Sequence, residues 1–175
     1  MKYNTFERLF SQERMDRYLQ ACGGDSRKAM TLYRYNLLLS QQMFTIISCF
    51  EVILRNAINA KLISTLGNEW LKNSVMPGGR FCIPATQKDY NSISRAYNNL
   101  VAESQYFNTM RNRIAHHEPI CFYLQDPVIN TTHVLNEYQK IQKLFLWMNV
   151  DSRALLYGLD HVQQICNKIN ELKPI

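Results

Sequence analysis

Apolar residues recur every three or four positions along most of the chain, the spacing that turns one side of an α-helix toward a core. Between residues 5 and 22 the apolar positions include Leu9, Met15, Tyr18 and Leu19; Ser11 is a possible internal cap, and Gly23 and Gly24 end the run. Asp25 or Ser26 then caps a helix predicted over residues 27–66, and Gly67 stops it. That run exceeds the usual helix length, so a kink or break is expected near Asn36. Residues 73–84, NSVMPGGRFCIP, carry two Pro and two Gly and read as a loop. Thr86 caps a helix over residues 87–102, and Ser104 caps another that ends near His117, because Pro119 disfavours helix for the residue before it. A connector over residues 118–127 follows, then helices over 130–149 and, after an Asp151 cap, 152–172. Five or six helices and no convincing strand are predicted. The expected fold class is all-α, a single helical bundle spanning residues 1–175.

Composition narrows this further. A length of 175 residues fits one domain. With 46% hydrophobic and only 19% charged residues, disorder is excluded as the main state. Six Gly and five Pro are too few for a collagen-like chain or a turn-dense sandwich. The five cysteines are odd in number, scattered and never in a C-x-x-C arrangement, so neither a disulfide framework nor a zinc site is expected. No secretory signal is read in residues 1–17, which carry repeated charge. The most apolar stretch, residues 37–54, is interrupted by Ser40, Gln41, Gln42, Thr45, Ser48 and Glu51 and reads as a buried core helix rather than a membrane span. A cytoplasmic protein without cofactor is the expectation. The net charge of +6 and a pI near 9.1 add a polyanion, nucleic acid in particular, to the candidate partners.

The chemistry concentrates in MRNRIAHHEPI, residues 110–120, which holds two of the chain's four histidines side by side. On a helix Asn112 and His116 stand at i and i+4, as do Arg113 and His117. Arg111 lies about 140° round the axis from His116, within bending reach of a phosphate held near the imidazole. Imidazole takes or gives a proton near neutral pH, guanidinium stabilises charge growing on phosphate oxygens, and an amide orients the ring. In RNA the 2′-hydroxyl is a built-in nucleophile, so no serine, cysteine or metal is required. The same residues also suit a solvated basic helix end that does no chemistry. A second feature lies in CFEVILRNAINAKL, where Glu51, Arg55 and Asn59 draw a polar stripe down an otherwise apolar helix. Such charges need partners, either each other or the element carrying Arg111 and His116.

The pair FEVILRNAI and MRNRIAHHEPI, in that order within a helical chain, resembles the Abi-like (abortive infection) branch of the HEPN superfamily, whose RNxxxH motif matches Arg111, Asn112 and His116. The likeness extends over about residues 11–125 and includes YRYNLLLSQ. It implies a helical bundle pairing as a symmetric homodimer, with two motifs in one cleft. It also implies a metal-independent endoribonuclease that leaves 2′,3′-cyclic phosphate ends in phage defence or as a toxin, with a cognate antitoxin or regulator as a candidate partner. Under that resemblance His116 is the acid or base, Arg111 the phosphate stabiliser and Asn112 the orienting residue. Glu51 and Arg55 are supports, and Arg113, His117 and Glu118 are supporting or RNA-contacting. Two departures stand out: residues 73–105 lack the aromatic FGFW-like motif of longer members, and Glu118 stands where some HEPN toxins carry a tyrosine modified by their antitoxin. A non-catalytic module that binds RNA, nucleotide or protein, or a helical dimerisation scaffold, remains the alternative.

Overall fold

In the computed structural model of the chain, residues 1–76, 78–79, 105–123 and 126–174 are described. The helix expected over residues 87–102 and the Thr86 and Ser104 caps lie outside them. The first apolar run divides in two, α1 (Tyr3–Phe10) and α2 (Gln12–Ala21), instead of forming one helix. Ser11 between them leaves the helical region at φ 74°, and its hydroxyl accepts the Arg14 amide of α2 at 3.4 Å. The serine therefore acts as a cap that starts a new helix. Gly23 and Gly24, both at positive φ, close α2 with amides donated to the Gln20 carbonyl at 3.0 Å and the Leu19 carbonyl at 2.9 Å.

α3 (Ser26–Leu66) is a single helix of 41 residues. The Asp25 carboxylate accepts the Arg27 amide at 2.9 Å and the Lys28 amide at 3.0 Å. These bonds, that to Lys28 foremost, hold the carboxyl below its ordinary range. Gly67 at φ 85° ends the helix. No break occurs at Asn36, because its side chain turns to a distant loop instead of competing for its own helix backbone. Buried residues Ala29, Leu32, Tyr33, Asn36, Leu39, Met43, Ile46 and Ile47 mark one face, while Leu37, Leu38 and Phe44 are exposed. The most apolar 18-residue window of α3 reaches a mean hydropathy of 1.7 and is 28% buried, so by length and composition this helix could cross a membrane.

α4 (Trp70–Val75) occupies the start of the expected 73–84 loop. It is pinned by Trp70, which is buried and donates its indole N–H to the Asn59 carboxamide at 3.0 Å. α5 (Gln105–Ala115) and α6 (Thr132–Trp147) follow. The last predicted helix also divides, into α7 (Ser152–Leu155) and α8 (Val162–Asn170). Asp151 does cap α7, accepting the Arg153 and Ala154 amides at 3.0 and 3.1 Å. Beyond it Gly158 adopts φ 72°, and Asp160 is drawn to the Tyr138 hydroxyl at 2.6 Å, so the chain turns before α8. Among the described residues there are eight helices and no strand, only an isolated antiparallel bridge between Phe122 and Ile129. The fold is all-α.

The chain separates into two compact units, one of Met1–Ser48 with Met110–Ile175 and one of Cys49–Thr109. The core of the first unites Phe6, Met15 and Tyr18 with the α3 face, with Val134, Ile141 and Phe145 of α6, and with Val162, Cys166 and Ile169 of α8. Tyr33 is buried there in an aromatic cluster with Phe6, Phe10 and Tyr18.

Candidate functional site

α5 presents its inner side through Met110, which is buried, and through Arg113 and Ile114, which are half-buried. Its outer side carries Arg111, Asn112, Ala115 and His116, all exposed. The three motif residues are thus all solvent-facing, and Asn112 and His116 share one helical face, as their i and i+4 spacing requires. His116 ends the helix, and its amide donates to the Asn112 carbonyl at 2.9 Å.

The predicted pairing of Arg113 with His117 on one helical face does not form. His117 leaves the helix at φ 55°; its amide donates to Ile114 at 3.0 Å, and the Glu118 amide reaches back to the Arg113 carbonyl at 2.8 Å. This is the left-handed helix end normally made by glycine, here built on a histidine. Pro119 follows, and the chain cannot resume helix.

The segment after the motif is a connector, as expected from its sequence, but part of it is buried. Ile120, Cys121 and Phe122 are all 0% exposed, and an irregular segment so deeply buried must find partners for its backbone. The buried Asn36 carboxamide oxygen of α3 accepts the Ile120 amide at 2.8 Å and the Cys121 amide at 3.0 Å. The Asn130 amide donates to the Cys121 carbonyl at 2.9 Å. Arg113 supplies the rest: its guanidinium donates to the carbonyls of Pro119 and of Phe122, lies 3.6 Å from the Glu118 carboxylate and meets His133 Nε2 at 3.3 Å. Arginine has no acceptor, so His133 receives this bond on Nε2 and carries its proton on Nδ1. Burial, and then the facing Arg113 cation, push the His133 imidazolium down to about 4. Burial likewise lowers the Arg113 guanidinium, while Glu118 opposes that shift.

α2 closes the site from the other side. Arg17 donates to the Asp126 carbonyl at 3.3 Å and stacks 4.5 Å over the Phe122 ring, and Tyr18 packs in a tilted arrangement against the same ring at 5.1 Å. Arg14, exposed, donates to the His117 carbonyl at 3.3 Å. Burial raises the Cys121 thiol well above its ordinary range and those of Cys22 and Cys166 to about 11, which leaves them poor nucleophiles.

Among the sequence-predicted residues, Arg111, Asn112 and His116 therefore lie together and exposed. Arg113 is occupied in holding the buried segment, Glu118 leans on Arg113, and His117 forms the turn. Glu51, half-buried, and Arg55, exposed, stand one helical turn apart in the Cys49–Thr109 unit, and Asn59, third in their stripe, holds Trp70. Sequence reasoning missed Arg14, Asn36 and His133. Only Asn36 carried a signal, as the one strongly polar residue in the Leu32, Tyr33, Asn36, Leu39, Met43 face. No three His, Cys, Asp or Glu side chains gather as metal ligands among the described residues. No protein-family model matches the chain, and no curated protein or solved structure is similar to it.

Proposed function

We propose that this protein is an endoribonuclease of the HEPN, Abi-like type. The observation that carries the reading is the outward presentation of Arg111, Asn112 and His116 on the last turn of α5, beside a histidine turn whose backbone is hydrogen-bonded on both sides. A polyanion can reach these side chains, while the backbone beneath them is fixed, the combination that proton transfer to a bound phosphodiester needs. The 2′-oxygen attacks phosphorus as the bond to the 5′-oxygen breaks. One imidazole accepts the 2′-hydroxyl proton, and a second, protonated imidazole gives a proton to the departing 5′-oxygen. Arg111 neutralises the non-bridging oxygens.

Two copies of His116 in a homodimer would divide the acid and base work, so the active form is proposed to be a dimer acting on RNA in the cytoplasm, in phage defence or as a toxin with its own regulator. The chemistry calls for no metal, because the nucleophile belongs to the substrate. Purified wild-type protein should cleave RNA in EDTA, whereas His116→Ala and Arg111→Ala should not, with helical content and oligomeric state unchanged. Undiminished cleavage by the pure variants would refute the site. Saturable RNA binding without cyclic-phosphate product would instead favour a HEPN-like binding module.

A further inference from the structure

The proposed ribonuclease site sits at the C-terminal end of α5, and that end is electrically wrong for a phosphate. The aligned peptide dipoles leave roughly half a negative charge there, on carbonyls that would repel an RNA backbone. Phosphates are ordinarily drawn to the opposite end of a helix. A phosphodiester can approach His116 only if something reverses that local field.

Arginines do so in this fold. Arg113 covers the Pro119 and Phe122 carbonyls, but it is half-buried and spent on that segment. Arg17 is half-buried over Phe122 and bonded to Asp126. Arg14 differs from both. It is exposed, it reaches the terminus from a separate helix, and it donates through Nη1 to the carbonyl of His117, the residue next to the motif histidine. Its own position is fixed: the Ser11 hydroxyl caps its amide, and Met15 and Tyr18, its neighbours on α2, are buried in the core at 0% and 2% exposure.

We infer that Arg14 is a substrate-binding residue of the same site, one that neutralises the carbonyl end of α5 and offers its outward guanidinium edge to an RNA phosphate next to the one cleaved. A guanidinium has five N–H donors in a rigid fork, so one bond to a carbonyl still leaves an edge suited to two phosphate oxygens. The inference rests on the ribonuclease reading and extends the site from α5 to α2.

The test compares wild type, Arg14→Gln and Arg14→Lys on a single-stranded RNA oligonucleotide and on its fully 2′-O-methylated, uncleavable form. Arg14→Gln should weaken binding of the uncleavable strand about tenfold. It should also reduce the slope of log Kd against log salt by about 0.7, the value for one lost phosphate contact to a single strand. In cleavage the loss should fall on KM more than on kcat. Arg14→Lys should keep the salt slope while losing part of the affinity, because it keeps the charge and not the fork. A folded Arg14→Gln protein with unchanged Kd and salt slope would overturn the assignment and leave Arg14 a structural clamp, even with cleavage intact. Wild-type protein that neither binds nor cleaves RNA would overturn the ribonuclease reading itself, and this inference with it.

Discussion

Asn36 is the residue on which the ordering of the site most depends, through two bonds made 84 and 85 positions away. Its carboxamide oxygen alone accepts the Ile120 and Cys121 amides, and both residues are 0% exposed. In Asn36→Ala those donors are stranded, each at about 1–3 kcal/mol, so the variant should lose roughly 2–6 kcal/mol. That is a large part of a typical ~5–15 kcal/mol total. For a chain of this length it corresponds to a Tm lower by about 5–20 °C. Asn36→Leu separates hydrogen bonding from volume, since leucine fills the space but accepts nothing; it should be about as unstable as the alanine variant. Thermal unfolding followed by circular dichroism gives the Tm, and hydrogen exchange gives protection at the amides of residues 120 and 121, which should fall selectively. A leucine variant as stable as wild type, or unchanged protection at those amides, would show that the two Asn36 bonds do not hold the segment.

Other predictions concern the same segment. Arg113→Ala strands the Pro119 and Phe122 carbonyls and should cost about 2–4 kcal/mol in urea unfolding. A loss under 0.5 kcal/mol would show that the guanidinium is not holding the loop. His117→Gly relieves a left-handed histidine at φ 55°, a conformation costing an L-residue about 1–2 kcal/mol against ~0.5–1 kcal/mol of added glycine entropy. Its Tm should rise by about 1–4 °C, and a fall would count against the strained turn. His133 binds its proton only near pH 4 when folded and near its ordinary 6.5 when unfolded. Below 6.5 the unfolded chain therefore holds the extra proton, and stability declines as pH falls from about 6.5 to 4. The decline should amount to roughly 2–3 kcal/mol, and His133→Gln should flatten that part of the pH–stability curve. An unaltered slope in the variant would place the acid sensitivity elsewhere.

The helical character was legible because it is written locally. Asp25 and Gly67 bracket α3 as expected, since a cap and a left-handed stop act through their own backbone. That Asn112 and His116 share one face was legible for the same reason, being a matter of helical period; that this face is turned to solvent was not. The failures share another cause. Ser11 and Gly158 break helices that periodicity alone would carry through them, because apolar spacing reports which side is buried and not whether the backbone stays helical. The segment after the motif read only as a connector, yet Ile120, Cys121 and Phe122 within it are buried, with the Ile120 and Cys121 amides donating to Asn36 and carbonyls of the segment accepting from Arg113 and Asn130. The bonds of Asn36, like that of Arg14 with His117, join residues remote in sequence. No local pattern encodes them.

The proposed reaction is tested most directly by the chemistry of the product end. RNA fragments released by wild-type protein and by His116→Ala in EDTA can be weighed intact by mass spectrometry. Wild type should yield fragments ending in a 2′,3′-cyclic phosphate and the variant none. Fragments ending in a 3′-hydroxyl, or cyclic-phosphate ends produced equally by His116→Ala, would contradict it.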